Sequence, residues 1–181
     1  MAVRAFITGV SGPVLTDGER AFLRAEQPWG FILFKRNVEN PAQVAALAAE
    51  LRIAVDRPDA PVLIDQEGGR VQRLGPPHWP RYPAGAVFGA LYDQSPEKGL
   101  RAAWLSSRLI ATDLDALGIS VDCLPLADVP VAGADAVIGD RAYGTTPEKV
   151  ATIARGVTDG LFAGGILPFL KHFPGHGPAT A

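Results

Sequence analysis

The chain has 181 residues, 48% of them apolar and 20% charged, with a formal net charge of −2. That size and composition suit one domain with a sizeable core and exclude a disordered chain, and the lack of basic excess argues against a nucleic-acid partner. Cys123 is the single cysteine, which excludes an internal disulfide. With no signal-peptide pattern and no run near the ~18 apolar residues of a bilayer span, a soluble cytoplasmic protein without membrane association is expected.

Short apolar runs alternate with helical patterns along the chain. Candidate strands are residues 5–8, 30–34, 61–65, 119–124 and 166–170, whose near-continuous hydrophobicity suits parallel strands buried on both faces. Helix starts are readable between them. Thr16-Asp17-Gly18-Glu19 and Asn40-Pro41-Ala42-Gln43 have capping-box spacing, and Ser95-Pro96-Glu97 and Thr146-Pro147-Glu148 repeat a cap-then-proline signal. Leu100, Ala103, Trp104, Ser107, Ala111, Leu114 and Leu117 recur at helical steps and are stopped by Gly118. Val150, Ile153, Ala154, Val157 and Leu161 do the same before Gly164-Gly165. Residues 75–83, too rich in proline for a helix or a central strand, read as a long loop after the third strand.

This alternation implies an α/β fold with parallel pairing through right-handed crossovers. Val10-Ser11-Gly12-Pro13 follows the first strand in place of a G-x-G-x-x-G turn, and no Walker-type sequence occurs, so a nucleotide-binding open sheet loses its main support. A (β/α)8 TIM-type barrel fits better. Such barrels need about 250 residues, so the expectation is a barrel cut off after about the fifth strand, with residues 1–181 the N-terminal portion of one barrel domain.

In a parallel barrel, function sits at the C-terminal ends of the strands. The second strand here ends in Lys35-Arg36-Asn37 and the third runs into Asp65-Gln66-Glu67-Gly68-Gly69-Arg70. The fourth leads through Asp128 to Gly139-Asp140-Arg141, and the fifth ends in Lys171-His172-Phe173-Pro174-Gly175-His176. Asp65 and Glu67 invite a paired-carboxylate reading, but i and i+2 neighbours on a turn seldom straddle a bond. The alternative makes Asp65 an acceptor for sugar hydroxyls and Glu67 a support paired to an arginine. Arg73 and Arg141 read either as ligand contacts or as solvated surface groups. His172 and His176 have metal-ligand spacing, but Pro174-Gly175 breaks any helix and no third ligand is evident, so no metal is expected and His176 reads as structural. Lys171, directly after an apolar strand, needs anionic or hydroxyl partners.

Leu63-Ile64-Asp65-Gln66-Glu67-Gly68-Gly69-Arg70-Val71-Gln72-Arg73 and Leu170-Lys171-His172-Phe173-Pro174-Gly175-His176-Gly177 closely resemble segments of the bacterial β-N-acetylglucosaminidases of glycoside hydrolase family three. Leu124-Pro125-Leu126-Ala127-Asp128-Val129 and Val137-Ile138-Gly139-Asp140-Arg141-Ala142-Tyr143-Gly144 match two more, in order. The resemblance implies a cytoplasmic enzyme, monomeric when full length and without a cofactor. It would remove terminal β-linked N-acetylglucosamine from peptidoglycan fragments by a retaining mechanism. Its partner would be an N-acetylglucosamine-containing muropeptide or another small saccharide. It assigns substrate binding to Asp65, Arg73, Arg141, Lys171 and His172. It assigns no catalytic residue within the chain, because the family's acid/base histidine, in an Asp-x-His element, and its nucleophilic aspartate are both expected beyond Ala181. A non-catalytic sugar-binding fragment, or a β-glucosidase or phosphorylase of the same family, remain the alternatives.

Overall fold

The computed structural model describes residues 2–176; Gly177, which closes the second motif, lies outside them, as do residues 178–181. Five parallel strands form the main sheet: β1 (Arg4–Thr8), β2 (Pro28–Leu33), β3 (Val62–Ile64), β6 (Val121–Asp122) and β7 (Leu167–Pro168). Between them run α1 (Asp17–Glu26), α2 (Pro41–Ala54), α3 (Gly85–Gln94), α4 (Pro96–Asp115) and α5 (Pro147–Ala163). The spatial order β1-β2-β3-β6-β7 follows chain order without reversal. A doubly wound sheet would show a switch point. The fold is therefore a segment of a (β/α)8 barrel, as expected.

The main core lies between sheet and helices and includes Phe31, Leu33, Val62, Ile64, Leu114 and Leu161. Because alternate strand residues face opposite ways, a second, smaller cluster of Leu63, Val121 and Cys123, with Ile32 against it, lies on the other face, toward the barrel interior. The periodic face read for α5 is buried in full, Val150, Ile153, Ala154, Val157 and Leu161 all belonging to the core. No described helix is long and apolar enough to cross a membrane.

Four details differ from the sequence reading. The fourth and fifth strands pair over two residues each, far less than 119–124 and 166–170. Pro125 has no N–H to give the ladder, while β7 holds to β6 through Leu167 N and Phe169 N on either side of Pro168. Pairing resumes beyond them as a bridge between Leu126 and Lys171. The segment after β3 folds back as an antiparallel hairpin, β4 (Gln66–Gly68) and β5 (Val71–Gln72). Its turn needs glycine at Gly68, where φ is +95° and a Cβ would lie 2.2 Å from the Pro83 carbonyl oxygen. Helix α3 is an addition. The caps vary: Thr16 and Glu19 form a complete box, Asn40 accepts from Gln43 N while the Gln43 side chain turns to Glu39, and Thr146 makes no side-chain cap.

Candidate functional site

Five side chains from three strand ends converge at the C-terminal edge of the sheet. Asp65 directly follows β3. Its Oδ2 accepts from Arg73 Nη2 at 2.9 Å and its Oδ1 from Lys171 Nζ at 2.7 Å. The same ammonium lies 2.5 Å from Glu67 Oε1. Glu67 in turn accepts from Arg141 Nε and Nη2, each at 2.9 Å. Arg73, Asp65, Lys171, Glu67 and Arg141 thus form one chain of alternating charge, with Lys171 at its centre.

The Lys171 side chain is 9% exposed and that of Glu67 4%. Burial would lower the Lys171 ammonium, but the Glu67 charge and the Asp65 hydrogen bond outweigh it and hold its pKa above the ordinary value. Burial would likewise raise Asp65, yet the contacts and charges of Lys171 and Arg73 hold it below the usual carboxylate range. The Glu67 hydrogen bond raises Arg141 above its ordinary value, against burial. All three are therefore charged at neutral pH. As anticipated from its position after an apolar strand, Lys171 meets carboxylates, and Glu67 is paired to an arginine.

His172 stands apart from that chain although it adjoins Lys171. Its Nδ1 lies 2.6 Å from Asp128 Oδ2, and its backbone N–H donates to the same oxygen at 3.3 Å. Asp128 Oδ1 accepts from His176 N at 2.6 Å. Burial would raise the Asp128 carboxyl; His172 and the His176 amide reverse this and keep it ionised below its normal range. The His172 and His176 rings meet edge to face, centroids 5.1 Å apart. Among the described residues no three His, Cys, Asp or Glu side chains are grouped to hold a metal ion.

A deeper layer escaped sequence reasoning. Asp122, fully buried at the end of β6, accepts from Gln66 N at 3.1 Å through Oδ1, while its Oδ2 has no partner. Burial pushes its carboxyl well above the ordinary range. Gln66 is also fully buried. Its Oε1 accepts from Arg73 N and Leu74 N, each at 3.0 Å, and its Nε2 donates to Leu74 O at 2.9 Å. One side chain therefore sets Asp65 and Arg73 side by side. The only available signal for Asp122 was a lone carboxylate in an apolar run. Asp128 and Arg70 stood out as polar residues at strand ends, but nothing in the sequence pointed to their partners, which lie far away along the chain.

Asp65 (17%), Arg73 (25%) and His172 (30%) keep accessible side chains, whereas Lys171 (9%), Arg141 (10%) and Glu67 (4%) are largely closed off. Three of the five N–H donors of Arg141 are engaged, to Glu67 and to Val137 O, which leaves two. The edge therefore offers an ionised acceptor, cationic donors and an imidazole close together, a set suited to a polyhydroxylated ligand.

The sequence profile of the Glycosyl hydrolase family 3 N terminal domain matches residues 11–181. A beta-hexosaminidase of Xanthomonas campestris pv. campestris (strain B100) is 40% identical over 171 residues, which cover 94% of this chain and 50% of that protein. The crystal structure of native NagZ from Neisseria gonorrhoeae superposes with a TM-score of 0.91 at 36% identity, covering 98% of this chain and 52% of that one. The same protein in complex with N-trifluoroacetyl-D-glucosamine gives a TM-score of 0.89 at 36% identity, covering 97% and 51%. The chain spans about half the length of the curated relatives it matches.

Proposed function

Because the chain belongs to glycosyl hydrolase family 3, we propose that the full-length protein removes terminal β-linked N-acetylglucosamine from peptidoglycan fragments, as a cytoplasmic, monomeric, retaining hydrolase of cell-wall recycling. Residues 1–181 form the N-terminal portion of its barrel domain and supply the sugar-binding half of the site. The observation that carries this reading is the Lys171 ammonium buried between the Asp65 and Glu67 carboxylates, with Arg73 and Arg141 on their outer sides. A structural barrel has no need for such a desolvated array at its functional end. Relatives named beta-hexosaminidase and a structural neighbour solved with an N-acylated glucosamine support the choice of sugar.

In the proposed complex Asp65 accepts from sugar hydroxyls through its spare lone pairs, while Arg73, Arg141 and Lys171 donate to sugar oxygens. His172 contributes Nε2, its ring fixed by Asp128 through Nδ1. Glu67 does not touch sugar; it keeps Lys171 and Arg141 charged and aimed. The acid/base histidine and the nucleophilic aspartate are assigned beyond Ala181, so the retaining steps are not carried by these residues. The test is turnover of aryl N-acetyl-β-glucosaminide and aryl β-glucoside by the full-length protein, with and without phosphate. Preference for the first, with release of the free β-anomer of the sugar, is expected. Preference for the glucoside, or a sugar phosphate as product, would replace this reading with the glucosidase or phosphorylase one.

A further inference from the structure

Residues 129–138 run without helix or strand between β6 and the short 3-10 turn Gly139–Arg141, and most of them are exposed. Of these residues only Ile138, at the end, is buried in the core, so the exposed stretch before it needs other contacts if Arg141 is to be held on Glu67. The Arg70 side chain, from the β4–β5 hairpin, supplies them. Its Nη2 donates to the carbonyl oxygens of Ala136, Val137 and Ile138 at 3.1, 2.7 and 3.1 Å, and its Nε to Asp140 Oδ1 at 2.9 Å. The Val137 carbonyl also accepts from Arg141 Nη1 at 3.1 Å, so the two guanidinium groups share one acceptor. We propose that Arg70 is a positioning residue for sugar binding, a clasp that converges three loop carbonyls and thereby aims Arg141 at Glu67 and the ligand.

The geometry calls for arginine in particular. Two separate nitrogens are used at once, Nη2 on the three loop carbonyls and Nε on Asp140, which a forked guanidinium spans and a lysine ammonium, with its donors on one nitrogen, does not. The hairpin itself does not depend on Arg70, whose side chain is half exposed and whose contacts all lie across on the loop. Arg70 and Glu67 leave the same hairpin and reach the same short loop, one through its carbonyls and one through Arg141. Together they grip the segment from both sides.

The assignment rests on the sugar-binding reading above, and its test separates the two. In the full-length protein, amide hydrogen exchange at Arg141 and Ala142, whose N–H groups bond to Ile138 and Gly139 carbonyls, is compared between wild type and Arg70→Ala. Exchange at least tenfold faster, with the global melt retained, is expected. Unchanged exchange overturns the clasp, whatever the enzyme's substrate. Kinetics on an aryl N-acetylglucosaminide then follow Arg70→Ala, Arg70→Lys, Arg141→Ala and the double alanine variant. Arg70→Ala should lower kcat/KM about tenfold through misplacement of Arg141, with Arg70→Lys between it and wild type. The double variant should be no worse than Arg141→Ala alone. Additive losses would mean that Arg70 does not act through Arg141. A wild type inactive on this substrate would sink the sugar reading, and the exchange result would still decide the clasp.

Discussion

Arg141 grips Glu67 side-on, Nε to Oε2 and Nη2 to Oε1, both at 2.9 Å, and so ties the loop after β6 to the hairpin after β3. Glu67 also takes Lys171 on Oε1. One buried carboxylate therefore bridges two buried cations, the second of which it shares with Asp65. Glu67→Gln should destabilise the full-length protein by roughly 3–5 kcal/mol, the usual result of removing one partner from a buried ion pair. Urea unfolding measures it. A loss below that of Asp65→Asn, whose carboxylate is more open to water, would contradict the supporting role given to Glu67.

Removal of Arg73 or Arg141 should lower turnover, and Arg141→Ala, which leaves buried Glu67 with one cation fewer, should cost stability as well. Arg73→Ala and Arg141→Ala are each expected to lose about 1.5–3 kcal/mol of transition-state binding, the range for hydrogen bonds to charged groups. The readout is kcat/KM on an aryl N-acetylglucosaminide. Unchanged kinetics in both variants would remove the substrate-binding assignment.

Asp122 makes a pH prediction with a definite sign. Its carboxyl is raised in the folded protein, from an ordinary value of 3.8, so above about pH 4 the unfolded chain releases a proton that the folded one keeps. Wild-type stability at this position is complete below that point and falls as pH rises toward the folded value. Asp122→Asn keeps an acceptor for Gln66 N and cannot titrate. Its stability relative to wild type should therefore improve with pH from about 4 upward, by at most ~1.4 kcal/mol per pH unit. Parallel stability–pH curves for the two proteins would show that Asp122 is ionised when folded.

Gly85 opens α3 where a Cβ would sit 2.1 Å from the Arg141 carbonyl oxygen, and at Gly89 it would sit 2.0 Å from that of Tyr143. Gly85→Ala must push the Arg141 backbone away or shift the helix. A loss of about 1–3 kcal/mol in stability is expected from such overpacking, with a higher KM because Arg141 moves. Thermal melts and steady-state kinetics check both, and a neutral variant would mean that the helix is free to shift.

The five-stranded sheet leaves apolar groups uncovered at its two margins. Ile7 and Trp29 are exposed at one side, and Leu167, Phe169 and Leu170 at the other. Strand edges with exposed apolar surface invite association. Residues 1–181 expressed alone should elute as aggregates or give a molten near-UV spectrum. A monomer with a sharp cooperative melt would contradict this.

Sheet order and helix faces were legible because they follow from hydrophobic period and cap residues, which are local. Helix α3 was not legible. Gly85 and Gly89 weaken its helical signature, and the reason for them, the carbonyls of Arg141 and Tyr143, lies more than fifty residues away. The site divides in the same way. Lys171 after an apolar strand demanded anionic partners, and Asp65 and Glu67 answer that demand. The hold of Asp128 on His172, 44 residues apart, and of Arg70 on carbonyls 66 to 68 residues away left no mark on the sequence around them.

The ammonium between Asp65 and Glu67 also has a history in time. It reaches Asp65 across 106 residues, which at ribosomal speeds is about 5–20 s of synthesis. Until residue 171 emerges, the two carboxylates have only arginines to offset them, Arg70 and Arg73 close by in sequence and later Arg141, which takes Glu67. The cation that sits between Asp65 and Glu67 is therefore the last of the five linked side chains to be made.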